Sequence, residues 1–109
     1  MLAKEQRISK GLRRWRGIST TTSLFSLRSS ANDLSRSRFA FVVSKRVERR
    51  ATVRNRVKRQ MSACIEDLLK SVRPGFDVIF YVKKEVVSHS QQSICESIKD
   101  ALQKQKILI

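Results

Sequence analysis

The chain is poor in most of what builds catalytic or covalently braced proteins. Its 109 residues include one histidine, two cysteines, one proline, three glycines and only nine acids. Two cysteines, Cys64 and Cys95, are too few for a disulfide framework. Together with His89 they fall short of the four ligands of a usual zinc site. Both lie among apolar residues at helical spacing, so they are expected as buried thiols of a reducing compartment. The scarcity of glycine and proline excludes a fibrous or low-complexity chain. No apolar run approaches the ~20 residues of a membrane-spanning helix. A single histidine leaves no pair for general acid–base chemistry. A Walker-type loop, a Cys/His nucleophile pair and paired acids in a motif are all missing. His89, in a serine-rich stretch, reads as a surface residue.

Positive charge is what abounds. Lys and Arg number 24, which gives a net charge of +15. A compact state with that charge repels itself and favours a polyanionic partner. Nucleic acid is the first candidate and an acidic membrane surface the second. The length fits one domain, residues 1–109. The charge is not spread evenly: residues 1–35 carry +5, residues 36–59 carry +9 and residues 60–109 carry +1. Clustering of this kind marks a binding face rather than general solubility.

The first 30 residues are rich in Arg, Ser and Thr, with Glu5 the only acid. That composition is similar to an organelle transit peptide, and it lacks the apolar core of a secretory signal. The competing reading makes residues 22–27 a strand of the mature fold.

Alternation predicts a strand over residues 38–44. Phe39, Phe41 and Val43 share one face, expected as core, and Arg38, Ala40, Val42 and Ser44 share the other. Residues 76–82 form a second strand after the Pro74-Gly75 turn signal, and residues 24–27 a weaker third. The polar stretch 28–37 reads as a loop. Val53, Val57, Met61, Cys64, Leu68 and Val72 lie on one stripe and predict a helix over 53–72, with Thr52 as its cap and Ile65 widening the stripe. Ile94, Ile98, Ala101 and Leu102 predict a second helix over 91–105. Ser88 or Ser90 would cap it, and 88–91 fits the capping-box spacing. Strand, strand, helix, strand, helix suits an α+β fold of two layers, with helices over one face of a small sheet and the other face open.

The most informative run is residues 53–60, Val-Arg-Asn-Arg-Val-Lys-Arg-Gln. On a helix, Arg56 and Arg59 stack three apart, and Arg54 and Lys58 stack four apart on the flank of the buried stripe. Cations are disfavoured at the positive end of a helix dipole, and like charges at this spacing repel. Bound phosphates would offset both costs. Asn55 adds a donor and an acceptor suited to a base edge or a 2′-hydroxyl. Lys45 and Arg46, at the end of the preceding strand, extend the patch, and Arg49 and Arg50 bridge it to the helix.

Residues 41–47 (Phe-Val-Val-Ser-Lys-Arg-Val) followed by 51–59 (Ala-Thr-Val-Arg-Asn-Arg-Val-Lys-Arg) resemble the protein subunit of bacterial-type ribonuclease P. The likeness extends to the opening residues 2–8, to 24–28, to 75–79 and to the closing helix. It implies a small α+β sandwich with a left-handed β-α-β crossover. It also implies a large catalytic RNA as partner and precursor tRNA as substrate, cut at the mature 5′ end. The RNA and its magnesium ions would do the chemistry, with Mg2+ held mainly by RNA and substrate and no catalytic residue on this chain. By position, Lys45, Arg46, Arg54, Asn55, Arg56, Lys58 and Arg59 would bind RNA. Phe25 and Arg28 fall on or near the strand that receives the single-stranded 5′ leader. Arg38 and Ala40 fall on the sheet face expected to be open. The chain departs from the family pattern at residues 9–17, a shortened segment with glycine at both ends and no counterpart of the usual aromatic pair. Trp15 either replaces that pair as a stacking surface or caps the core.

The resemblance implies a cytoplasmic ribonucleoprotein, and nothing in the sequence calls for a membrane or an obligate protein partner. The main alternative is a non-enzymatic RNA-binding protein such as a ribosomal component, separated only by the spacing of the two motifs. A major-groove DNA binder lacks helix-turn-helix or zinc signatures. A membrane-surface helix is disfavoured by Glu66 and Asp67 on the long helix.

Overall fold

The computed structural model describes residues 17–109. Four strands, β1 (Ile18–Thr21), β2 (Phe25–Ala31), β3 (Arg38–Val42) and β4 (Phe76–Val82), form one mixed sheet in the order β1-β2-β4-β3. The pairs β1–β2 and β2–β4 are antiparallel, and β3–β4 is parallel. Helices α1 (Ala51–Leu68) and α2 (Gln91–Lys104) cover one face. Short 3-10 turns follow α1 at Leu69–Ser71 and precede α2 at Lys84–Ser88. The architecture is the expected α+β sandwich. The β3-α1-β4 unit supplies its crossover.

Each strand sends alternate residues under the helices. Phe25 and Leu27 from β2, Phe39 from β3, and Val78, Phe80 and Val82 from β4 are buried. They meet Val57, Met61 and Ile65 of α1 and Ile94, Ile98 and Leu102 of α2 in one core. Phe80 is its centre: Phe25 meets it edge-on at 5.1 Å and Phe41 stacks on it at 5.4 Å. Phe39 is core as expected, and Phe41 packs against the core while remaining half-buried.

The structure corrects several boundaries. The stretch 28–37 is not all loop, because β2 runs to Ala31 in continuous register with β4. Its polar residues conceal a strand: Ser29 turns inward, and its hydroxyl bonds the Gln105 side chain at the end of α2. Gln105 also donates to the Ile18 carbonyl and to Thr20 Oγ1, so one amide ties α2 to the edge strand β1. β1 lacks an apolar alternation strong enough to be read as a strand. It depends on Gly17, where a Cβ would lie 1.8 Å from the Ser29 carbonyl oxygen. Helix α1 starts at Ala51, not after a Thr52 cap. Arg50 holds the cap position, and no side chain caps it. The helix ends at Leu68, and Val72 instead bridges Leu108. Ser90 caps α2 by accepting from the Ser93 amide.

The cysteines are also corrected. Cys64 and Cys95 are not separate thiols but a disulfide between α1 and α2, with Cα atoms 5.2 Å apart. Their 31-residue separation gives no hint of this pairing; only side-by-side packing of the two helices brings them together. Cross-linking a loop of that length stabilises by about 3–4 kcal/mol on the chain-entropy account. Reductant should lower the unfolding free energy by about that amount, and Cys95→Ala should reproduce the loss without reductant. Identical denaturant midpoints with and without reductant would contradict the pairing.

Candidate nucleic-acid interface

Parallel pairing sets the geometry of the basic end. β3 finishes beside the end of β4, and the chain then turns through residues 43–50 into α1. Lys45, Arg46, Arg49 and Arg50 therefore sit at the edge where α1 begins. Helix α2 starts alongside Gln60, whose carbonyl accepts from Gln91 Nε2, so it flanks the later part of α1. Val53 and Val57 are buried, which points Asn55, Arg56 and Arg59 into solvent. Arg54 and Lys58 are half-buried on the flank, as the helical angles predict.

The basic residues divide into two groups. Arg54 Nη1 donates to the carbonyls of Glu48 (3.0 Å) and Arg49 (2.8 Å), clamping the turn onto the first helical turn. Arg50 pairs with Glu48 at 2.9 Å. Hydrogen bonds from the Arg50 side chain, then from its backbone N–H, lower the Glu48 carboxyl to about 2. The one acid of this segment is thus consumed within the turn. Lys45, Arg46, Arg49, Arg56, Lys58 and Arg59 carry no ion pair among the described residues. The six cations surround a helix start with no acid in its first turn, an arrangement that attracts phosphate.

The sheet face opposite the two helices is the second part of the site. Register places Thr21, Ser26, Tyr81 and Val42 in one row across the strands, and Ser19, Arg28, Ile79 and Ala40 in the next. A third row holds Ser30, Asp77 and Arg38. Arg28 and Ala40 lie on this face, in one row with the buried Ile79; Arg28 is exposed, with Nε donating to Ser19 Oγ at 3.3 Å. Phe25 does not contribute its ring, because an inward position in β2 buries it against Phe80. Arg38 is on the face but engaged: its Nε and Nη2 reach the two Asp77 oxygens at 2.8 and 2.6 Å. Asn32 Nδ2 adds a bond of 2.8 Å to Asp77 Oδ1. Trp15 lies outside the described residues. Val42 lies on the face with Arg38 and Ala40 as the alternation predicts, and Tyr81, which sequence reading did not single out, is exposed beside it; the alternation in 76–82 was the available signal for Tyr81.

The family model for ribonuclease P matches residues 2–106. The chain belongs to the ribonuclease P family. A ribonuclease P protein component from Cyanothece sp. is 34% identical over 80 residues, covering 73% of this chain and 61% of that protein. One from Synechocystis sp. is 50% identical over 46 residues, 42% of this chain and 37% of that protein. The chain thus spans less than two thirds of the length of these curated relatives. Among solved structures, a Staphylococcus aureus RNase P protein mutant with defective mRNA degradation activity superposes with a TM-score of 0.88 at 22% identity, covering 96% of this chain and 92% of that one. The RNase P protein from Thermotoga maritima gives 0.74 at 22% identity, over 81% and 83%. These structures establish that the ribonuclease P protein fold is shared. The family match favours this assignment over a ribosomal component.

Two predictions follow from the division of cations. Burial raises the Asp77 carboxyl, but bonds from Arg38 and Asn32 outweigh it and leave it below the ordinary range. A carboxyl lowered in the folded state stabilises above its unfolded value, and that stability is lost as pH falls through the folded value. Asp77→Asn should cost about 1–3 kcal/mol at pH 7, and the gap from wild type should close in thermal melts taken progressively below about pH 4. A gap independent of pH would rule out the ionised pair. Separately, Arg56→Ala and Arg59→Ala should each weaken RNA binding and reduce the slope of log affinity against log salt by about 0.7–0.9. Unchanged slopes would exclude phosphate contacts at those positions.

Proposed function

We propose that this chain is the protein subunit of ribonuclease P, acting with a catalytic RNA to remove the 5′ leader of precursor tRNA. The observation that carries the reading is the exposed Arg56–Arg59 face of α1 beside Lys45 and Arg46, with no ion pair among the described residues, in a chain of this family. On this reading the basic end binds the catalytic RNA through Lys45, Arg46, Asn55, Arg56, Lys58 and Arg59. Arg54 holds the turn that presents them. The open sheet face, with Arg28 and Ala40, takes the single-stranded leader. Like charges along α1 repel one another, and RNA phosphates relieve that repulsion while releasing counterions. Catalysis belongs to the RNA. The described residues contain no group of three or more His, Cys, Asp or Glu side chains that could hold a metal ion. Magnesium is assigned to RNA and substrate. No helix among the described residues is long and apolar enough to cross a membrane.

The test is cleavage of a precursor tRNA by purified cognate RNA at low magnesium, with and without the protein. The protein should increase leader removal and substrate affinity. Equal rates and affinities in both arms would overturn the reading.

A further inference from the structure

We propose that the Cys64–Cys95 link is a reversible reduction site: a dithiol reductant attacks Cys95 Sγ through the groove between α1 and α2, and Gln91 receives the departing Cys64 thiolate. The inference goes beyond RNA binding and does not depend on it. The two halves of the link differ in access. Cys64 is 1% exposed and belongs to the core, whereas Cys95 is half-buried at its rim. A groove of about 180 Å³ opens beside them, with both cysteines, Leu68, Asp67, Glu96 and Lys99 in its walls. The groove therefore presents an apolar floor with two acids and one lysine. That balance suits a neutral or weakly charged partner, in contrast to the basic edge that suits a polyanion.

Gln91 supplies what the reduced state needs. Its Nε2 donates to the Gln60 carbonyl at 2.9 Å, and it lies 3.4 Å from Cys64 Sγ and 3.7 Å from Cys95 Sγ. A sulfur in a disulfide is a weak acceptor, so the second amide hydrogen is little used while the link stands. A thiolate carries full charge and accepts about twice as strongly. The exchange runs in two steps. One thiolate of the reductant bonds Cys95 Sγ, the S–S bond breaks, and its electron pair leaves on Cys64 Sγ beside Gln91 Nε2. The reductant's second thiolate then attacks the reductant's own sulfur in the mixed disulfide and expels Cys95 as a thiolate. The two cysteines take up the two protons that the dithiol gave up. Two electrons have passed to the protein, and the reductant ends as a disulfide. Cys64 follows Arg59 on α1 by little more than one turn, so the step cuts the covalent tie between the basic helix and α2. The unfolding equilibrium constant then rises about 100- to 1000-fold.

The test uses the full chain in native buffer without RNA. It is exposed briefly to 2-mercaptoethanol, the exchange is stopped with N-ethylmaleimide, and peptide mass spectrometry locates the adducts. The mercaptoethanol should sit on Cys95 and the maleimide on Cys64. With dithiothreitol, both cysteines should become alkylatable at a rate that rises with its concentration and exceeds global unfolding measured by hydrogen exchange. Oxidised dithiothreitol should restore the link. Gln91→Leu, folded by circular dichroism, should be reduced about 10-fold more slowly. Four results would overturn the proposal: free thiols before any reductant is added, the mercaptoethanol adduct on Cys64, a reduction rate fixed at the unfolding rate whatever the dithiothreitol concentration, or a Gln91→Leu rate equal to wild type. Because the assay contains no RNA, its outcome is separate from that of the cleavage test.

Discussion

The parallel pairing of β3 with β4 is the constraint from which the site follows. Parallel neighbours cannot be closed by a hairpin, so the chain must cross over through the helical layer before β4 begins. The crossover puts the start of α1 at the end where β3 stops, and α1 then returns the chain to where β4 starts. Residues 45–59, dispersed along the sequence over a strand end, a turn and two helical turns, thereby converge on one edge. On the other side of β4, the antiparallel β2 presents Ser26 and Arg28 to the open face. One central strand therefore positions both the basic edge and the sheet face opposite the helices.

The helix start is electrostatically unfavourable and forms nonetheless. It has no side-chain cap and no acid in its first turn. Cations near the positive dipole end cost about 0.3–1 kcal/mol each, and like-charge pairs a few tenths. Against this, Val53, Val57, Met61, Cys64 and Ile65 are buried, each contributing roughly 1.5–3 kcal/mol as an upper estimate. Packing outweighs repulsion several-fold, so the basic face is built without a bound ligand. Binding then does not bear the cost of ordering the helix, and the charge repulsion stored in it favours any polyanion that docks.

Legibility in the sequence followed the strength of the local signal. Residues 38–44, 53–68 and 91–104 carry clean apolar periods, and the fold class, both helices and the exposed face of 55–59 could be read from them. β1 and the far half of β2 could not. Their residues are small and polar, and they hold their places through Gly17 and Gln105, contacts made across the sheet and to the far end of α2. The same limit hid the Cys64–Cys95 link and the Arg38–Asp77 pair, whose partners are separated by a whole element. Phe25 was misplaced for a subtler reason. It lies on the strand expected to meet the leader, but a strand has two faces, and a one-residue shift in register exchanges them.

Charge counted along a sequence overstates the charge available to a ligand. Of the ten cations between Arg36 and Arg59, Arg38 is held by Asp77 and Arg50 by Glu48, and Arg54 is spent on carbonyls of the turn. Arg54 bonds the backbone directly and the other two bond carboxylates, and together they tie a strand end, a turn and the first helical turn. Their flat, multiply donating guanidinium groups suit that role better than an ammonium would. What they secure is the orientation of Lys45, Arg46, Arg56 and Arg59, which have no ion pair among the described residues and are exposed. Specificity for a folded RNA requires phosphate contacts at fixed positions, not merely a high density of positive charge. The arginines lost to the ligand are what turn the excess into a pattern.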